Sequence, residues 1–110
     1  MYYILVKQEN ILKQFIDRKI ITVATKAGHV DLVDESSLAI PPKAIIPKET
    51  FDEVLKYGYS TKEDAENDKE TKKEIDDYIG VSFYKKFSIV DENELKSLYK
   101  RICNNENVFK

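Results

Sequence analysis

A change in hydrophobic pattern near Pro41-Pro42 divides the chain into two unlike parts. Before it, short runs of apolar and β-branched residues favour strands, and after it most apolar residues recur every three or four positions, which favours helices. The predicted strands cover about residues 2–7, 20–25, 30–34 and 81–89, and the predicted helices about 10–18, 47–57, 61–79 and 92–103. The segment 36–42 is predicted to be a loop. This order predicts an α+β fold with a mostly antiparallel sheet.

Local signals support these elements. The run 2–7 is apolar at nearly every position, which is typical of a central strand. Asn10 can cap the helix 10–18, and Gly28 can adopt positive φ in a hairpin turn. Asp91 and Glu94 form a capping box before the last helix. In the helix 10–18 the apolar residues on one side are Ile11, Leu12, Phe15 and Ile16.

The segment around Gly58 predicts a tight corner between two helices. Pro47 suits the first turn of the helix 47–57. Gly58 is expected to end this helix with positive φ, which would pack Tyr59 back against Val54. Ser60, with Glu63 three residues later, is expected to cap the next helix.

Size and composition predict a single small domain over residues 1–110. Apolar residues make up 42% of the chain and charged residues 35%, which is sufficient for one core under a highly charged surface. The net charge of −2 gives no general attraction for nucleic acid. No apolar run approaches the 18 or so residues that span a bilayer, and the N-terminal segment lacks the features of a signal peptide. We therefore expect a cytoplasmic protein that does not bind membranes.

The helix 61–79 carries acidic residues at intervals of three and four positions, which stacks them on one helix face. These residues are Glu63, Glu66, Glu70, Glu74 and Asp77. Like charges at this spacing each cost about 0.2–0.5 kcal/mol, and along the helix four i,i+4 pairs attract while four repel. A salt-bridge ladder therefore does not explain the pattern. Either the helix is a solvated surface, or its acidic face, on the order of 20 Å long, binds a basic partner. Tyr57 and Tyr78, near its two ends, are candidate interface anchors.

The strand 81–89 provides a second candidate surface. Val81, Phe83, Phe87 and Ile89 alternate with polar residues, so Tyr84 and Lys86 are predicted on the exposed face, while Lys85 interrupts the apolar one. An exposed tyrosine beside a lysine can stack a base and contact its phosphate.

Signals for catalysis and for cofactors are weak. His29 is the only histidine, and it is expected at an exposed turn near Lys26 and Asp31. Cys103, the only cysteine, is expected to be at least half-buried. The acidic positions 64, 66 and 68 fail a calcium-loop template at the required glycine and at the final glutamate. No cofactor and no metal site are predicted.

Three hypotheses follow. The favoured one is a small non-enzymatic regulator or inhibitor that docks a basic partner protein through the acidic helix. Carboxylates one turn apart resemble the spacing of nucleic-acid phosphates, so the helix is suited to occlude a nucleic-acid-binding groove, as an accessory protein of phage or mobile-element type would. The alternative is a nucleic-acid-binding accessory protein that uses Tyr84 and Lys86. The third is a small enzyme built on His29. A homodimer is compatible with each.

Overall fold

The computed structural model describes residues 1–12, 17–36 and 39–109, with the backbone alone for 39–43. This part of the chain forms a five-stranded antiparallel sheet in the order β4-β3-β2-β1-β5, together with four helices. The strands are β1 (Tyr2–Asn10), β2 (Arg18–Thr25), β3 (Gly28–Ser36), β4 (Ala39–Ala44) and β5 (Phe83–Asp91). The helices are α1 (Lys48–Leu55), α2 (Lys62–Asn67), α3 (Lys69–Ile79) and α4 (Glu92–Cys103). The predicted α+β class is confirmed.

Strand β1 is flanked by strands on both sides and is buried on both faces. Its residues Tyr3, Ile4, Leu5 and Val6 are all buried. Because successive side chains on a strand point to opposite faces, this apolar run supplies both sides of the sheet at once. The predicted central strand is therefore confirmed, and it requires a helical layer on each face.

Two helical layers meet this requirement. Helices α1 and α4 form the first layer, which packs on the sheet face that carries Tyr3 and Leu5. Helices α2 and α3 form the second layer, on the face that carries Ile4 and Val6. The helical residues buried in the first core are Phe51, Leu95, Tyr99 and Ile102, and those in the second are Ala65 and Ile75.

The helix predicted for residues 10–18 is wrong at both ends. Asn10 belongs to β1 and pairs with Phe83, and Arg18 belongs to β2 and pairs with Ser36. The Asn10 side chain does accept a backbone hydrogen bond, from the N–H of Leu12, but it does so at the end of a strand. Residues 13–16, which include the predicted apolar positions Phe15 and Ile16, lie outside the described part. At Asn10, pairing with the distant strand β5 outweighs the local capping signal.

The segment predicted as a loop at 36–42 contributes to β4, whose backbone includes Pro41 and Pro42. Within the described residues, this strand lies at the edge of the sheet and pairs only with β3. Proline cannot donate a hydrogen bond to a neighbouring strand, so an edge strand is the position in a sheet that tolerates it. The loop prediction is therefore wrong for residues 39–42, which belong to an edge strand.

The corner around Gly58 exists, but for a different reason than predicted. Helix α1 ends at Leu55 and α2 begins at Lys62, so the chain does turn here. Positive φ among the described glycines occurs at Gly28, as predicted, and at Gly80, but not at Gly58. A Cβ atom at Gly58 would instead lie 2.7 Å from Cβ of Met1 and 2.8 Å from Cζ of Tyr3. Close approach to the N-terminal strand, and not helix capping, requires the glycine.

The expected contact between Tyr59 and Val54 is also wrong. Tyr59 pairs through its backbone with Tyr2 and buries its side chain in the second core, whereas Val54 packs in the first core. The chain thus crosses from one face of the sheet to the other at this corner. The cap of α2 is Thr61, whose side chain accepts from the N–H of Asp64, and not Ser60.

The single helix predicted for residues 61–79 is in fact two helices. Helix α2 ends at Asn67, and α3 begins at Lys69. Between them Asp68 has φ −79° and ψ 76°, which is not helical, and it serves as the N-cap of α3. An aspartate that can hydrogen-bond nearby backbone N–H groups competes with helix continuation, which explains the break.

The remaining elements follow the sequence closely. The helix predicted at 92–103 is confirmed as α4, and its N-cap Asp91 accepts from the N–H of Glu94 at 2.8 Å. The strand predicted at 81–89 is shifted to 83–91, so Val81 lies before it and is exposed.

Candidate functional site

Asp68 is the centre of a hydrogen-bonded network that fixes α3 to the sheet. The Tyr59 hydroxyl donates to its carboxylate at 2.6 Å, and Thr71 donates from its hydroxyl at 2.7 Å and from its backbone N–H at 3.0 Å. Burial disfavours the charged form of Asp68, but the hydrogen bonds from Tyr59 and Thr71 outweigh this effect, so the pKa of Asp68 lies below its ordinary value. Burial and the hydrogen bond to Asp68 raise the pKa of Tyr59 to about 12. The network therefore holds an ionised carboxylate facing a neutral phenol.

The break at Asp68 creates a concave acidic surface of about 430 Å³, which we call the acidic cleft. It is lined by Lys26, Asp64, Asn67, Asp68, Glu70, Thr71 and Glu74. Lys26 comes from the β2–β3 turn, and its ammonium group lies 5.6 Å from the centre of the Tyr59 ring. The cleft thus combines four carboxylates with one cation supplied by the chain itself.

The structure separates the five predicted carboxylates into two groups. Glu70 and Glu74 line the acidic cleft. Glu63, Glu66 and Asp77 are exposed on α2 and α3 but do not line it. Since α2 and α3 are separate helices, the five do not form one continuous face, and that part of the prediction is wrong.

Sequence reasoning missed Asp64, Asp68 and Lys26. A signal for Asp68 was present, because an aspartate three residues before Thr71 is a common arrangement at a helix N-terminus. No local signal placed Lys26 near α3.

Lys85 ties the far end of α3 to the sheet. Its ammonium group donates to the carbonyl oxygen of Gly80 at 2.8 Å and lies 3.4 Å from Oδ1 of Asp76. This explains a lysine on the otherwise apolar side of β5, since a cation at a helix C-terminus interacts favourably with the helix dipole. It also offsets the unfavourable position of Asp76 in the last turn.

The two predicted tyrosine anchors lie on either side of the β2–β3 turn. Tyr78 is 64% exposed, and its ring centre is 4.4 Å from that of His29. Tyr57 is 52% exposed and lines a concavity of about 210 Å³ whose walls include His29 and Val54. Both tyrosines are therefore accessible, and they flank the turn instead of marking the ends of one long helix.

The groups that the enzyme hypothesis placed around His29 have other contacts. Asp31 accepts from the Thr22 hydroxyl at 2.6 Å. Lys26 faces Tyr59, as described above. His29 itself is exposed and contacts the Tyr78 ring. Cys103, expected to be at least half-buried, is exposed at the end of α4.

A second surface lies on the first-layer face of the sheet, around Tyr84 and Lys86. Lys7 is directly opposite Lys86 in the pairing of β1 with β5, and Glu9 is opposite both Tyr84 and Lys19. A concavity of about 160 Å³ lies here, and its lining includes Lys7, Lys19, Tyr84, Lys86 and Phe109. We call these five residues the basic strand surface. Sequence reasoning identified only Tyr84 and Lys86, because Lys7 and Lys19 come from distant strands.

Within the described residues, no group of three or more His, Cys, Asp or Glu side chains is arranged to hold a metal ion. No helix in this part of the chain is long and apolar enough to cross a membrane. The predicted cytoplasmic location stays a prediction. No protein-family description, curated protein or solved structure matches the chain, so the two surfaces are assigned from geometry and charge alone.

Proposed function

We propose that this protein is a small non-enzymatic regulator or inhibitor that binds a basic segment of a partner protein in the acidic cleft. The observation that carries the proposal is the break at Asp68. It converts a linear row of carboxylates into a concave site in which Asp64 on α2 and Glu70 and Glu74 on α3 face one space. Several carboxylates around one cleft provide a stronger local field than the same groups spread along a straight helix.

The charge distribution supports a basic partner. Residues 62–79 contain four lysines and eight acidic residues, a net charge of −4, so the remainder of the chain carries +2. The negative charge is thus concentrated in the second layer. Such an asymmetry steers a positively charged partner toward α2 and α3 and makes association sensitive to salt.

Lys26 indicates what kind of group the cleft accepts. Its ammonium group lies over the Tyr59 ring and beside the carboxylates, and its charge helps to lower the pKa of Asp68. An ammonium near an aromatic face gains a cation–π attraction. A lysine or arginine of the partner would meet the same carboxylates in the cleft, so we expect Lys26 to compete weakly with it.

The exposed ring of Tyr78 extends this surface. Glu70, Glu74 and Tyr78 are spaced by four residues along α3, which places them on one side of that helix. Tyrosine at the edge of an acidic surface supplies apolar contact area as well as a hydroxyl group, and it is enriched among the residues that dominate binding energy. A partner segment that follows this stripe would contact carboxylates first and then an aromatic ring.

Occlusion is the mechanism that suits such a surface. A basic groove that binds nucleic acid on a partner protein is complementary to the acidic cleft, so binding here would exclude the nucleic acid. This mode of action is the one expected of an accessory protein of phage or mobile-element type.

The test compares two double charge reversals that change the net charge equally. Glu70→Lys with Glu74→Lys alters the cleft, and Glu63→Lys with Glu66→Lys alters exposed α2 positions outside it. Each variant is used to capture partners from a nuclease-treated extract of the source cell, and each is titrated with a fluorescent lysine- and arginine-rich peptide. We expect the cleft variant to lose the partner and to weaken peptide binding on the order of tenfold or more, because attraction becomes repulsion.

The control variant should retain most of the binding, and circular dichroism should show the same helix content in both. Lys26→Gln should bind the basic peptide more tightly than the wild type. If both reversals weaken binding equally, the interaction depends on general charge and the cleft proposal is wrong.

A further inference from the structure

We propose that the basic strand surface is a second binding site, which takes single-stranded nucleic acid. It lies on the sheet face opposite α2 and α3, so it is independent of the acidic cleft. The sequence suggested this chemistry for Tyr84 and Lys86, and the fold supplies the other groups that such a site needs.

The arrangement follows from the strand register. On this face, Tyr3 and Leu5 of β1 lie in the core beneath α1 and α4. The next two β1 positions on the same face are Lys7 and Glu9, in two adjacent cross-strand rows. The first row places Lys86 opposite Lys7, and the second contains Tyr84, Glu9 and Lys19. Three strands thus present their side chains to one concavity.

The pair formed by Lys7 and Lys86 is not explained by stability. Both side chains are exposed, and like charges directly opposite each other on neighbouring strands destabilise a sheet. Across the described residues, neither ammonium group is within salt-bridge distance of a carboxylate. A polyanion bound across the two strands would relieve this repulsion.

Aromatic rings select the class of polyanion. Tyr84 is 62% exposed beside these lysines, and Phe109, near the C-terminus, lines the same concavity. Base stacking on aromatic side chains, combined with lysines along the backbone, is the general mode of single-strand recognition, and it tolerates many sequences. A duplex hides its base faces within the stack and could use only the lysines. The combination of rings and cations therefore favours a single strand.

Glu9 provides a sensitive check on the electrostatics. It lies opposite both Tyr84 and Lys19, so it is the acidic member of the second row. Its negative charge opposes phosphate binding, and Glu9→Gln should therefore tighten binding of a polyanion.

The experiment titrates the protein with a fluorescein-labelled oligothymidylate of about 12 nucleotides, within the size range of single-strand sites, and follows fluorescence anisotropy at several salt concentrations. The wild type should bind, with an affinity that falls as salt rises. The double variant Lys7→Gln with Lys86→Gln should bind more weakly, and the slope of log affinity against log salt should decrease by about 0.7 for each lysine removed. Lys69→Gln with Lys73→Gln, which removes two exposed charges from α3, is the matched control and should bind like the wild type.

The stacking contribution is tested separately. Tyr84→Ala should weaken binding by at least about fivefold, whereas Tyr84→Phe should retain it because the ring is preserved. An abasic oligonucleotide of the same length should bind more weakly than oligothymidylate. Because Lys7, Tyr84 and Lys86 are exposed, thermal unfolding should be little changed in their variants.

Three results would overturn the proposal. Absence of wild-type binding to oligothymidylate at low salt is one. Equal binding of the abasic and thymidylate strands is another, because it would show that the surface binds phosphate charge without stacking bases. The third is self-association that blocks oligothymidylate binding and is abolished by Glu70→Lys with Glu74→Lys. It would be observed as sedimentation that depends on protein concentration. It would show that the acidic layer of a second copy covers the strand surface. The first two results do not bear on partner binding in the acidic cleft, whereas the third would make a second copy of the chain a partner of that cleft.

Discussion

The two helical layers cover the same sheet by different means. Helices α1 and α4 bury large apolar side chains, including Phe51 and Tyr99, whose rings stack with centres 4.1 Å apart. Helices α2 and α3 bury only Ala65 and Ile75 in the opposite core. Polar contacts supply much of the remaining attachment of the second layer, through the Asp68 network at one end of α3 and Lys85 at the other.

This difference explains why the two layers have different surfaces. A layer held by a large apolar face owes most of its stability to burial, roughly 25 cal/mol for each Å² removed from water. A layer held by a few hydrogen bonds contributes less, and opens more easily. The repulsive charges of α2 and α3 are therefore carried by the layer that buries fewer large apolar side chains.

The largest expected effect is the loss of a large side chain from the first layer. Leu95→Ala should lower the free energy of unfolding by about 2–5 kcal/mol, because Leu95 is fully buried and its removal leaves a cavity. Ile75→Ala removes a side chain of similar size from the second layer. There we expect amide hydrogen exchange to increase mainly in α2 and α3, while β1 and β5 remain protected. If both variants unfold as one cooperative unit, the proposed contrast between the layers is wrong.

Removal of the Asp68 carboxylate should have the next largest effect. Asp68→Ala eliminates the N-cap of α3 and the acceptor for the Tyr59 hydroxyl, and it should destabilise the protein by about 2–3 kcal/mol in chemical denaturation. Because the pKa of Asp68 is lowered in the folded state, its stabilisation is present above the ordinary pKa near 4 and is lost as the pH falls through the lowered value. The variant should therefore lose less stability than the wild type on acidification. Tyr59→Phe, which keeps the cap, should destabilise the protein by about half as much as Asp68→Ala.

The crossing between the layers is tested at Gly58. Gly58→Ala should cost about 1–3 kcal/mol, because the new methyl group would overlap Cβ of Met1 and the ring of Tyr3. Ser60→Ala, in the same connection but exposed and outside the cap, should change stability little. A neutral Gly58→Ala variant would show that the N-terminal strand can move away from the corner.

The last effect is expected in strong alkali, and it concerns both layers. Burial is the main cause that raises the pKa of Tyr3 and Tyr99 in the first layer, and of Tyr59 in the second, to about 12. Their contribution to stability is complete below the ordinary pKa near 10 and is lost as the pH rises toward 12. Denaturant midpoints should therefore fall over this interval. Tyr59→Phe should reduce the dependence on pH, and an unchanged slope would contradict the assignment of Tyr59.

Elements with strong local signals were predictable from the sequence. Helix α4 has an N-cap at Asp91 and a regular apolar stripe, and its predicted bounds agree with the structure. The hairpin of β2 and β3 follows from two apolar runs around Gly28. In each case residues close in sequence make the contacts that decide the structure, so a local pattern is sufficient.

The sites were predictable only in part, for the same physical reason. Glu70 and Glu74 were correctly expected on an exposed acidic helix surface, and Tyr84 and Lys86 on an exposed strand face. Lys26, Lys7 and Lys19 were missed because each is brought to its surface by pairing or packing between segments far apart in the sequence.

By itself, the sequence determined the α+β class, the buried central strand β1, the cap of α4 and the excess of acidic residues at 62–79. Only the tertiary structure decided that 2–10 continues as a strand, that 39–44 pairs at the sheet edge, and that the helix at 61–79 breaks at Asp68. These three outcomes depend on contacts that a local pattern does not contain: the pairing of β1 with β5, the pairing of β4 with β3, and the hydrogen bond from Tyr59 to Asp68. Local propensities differ by about 1 kcal/mol or less per residue, so a single buried hydrogen bond or a paired strand can reverse them.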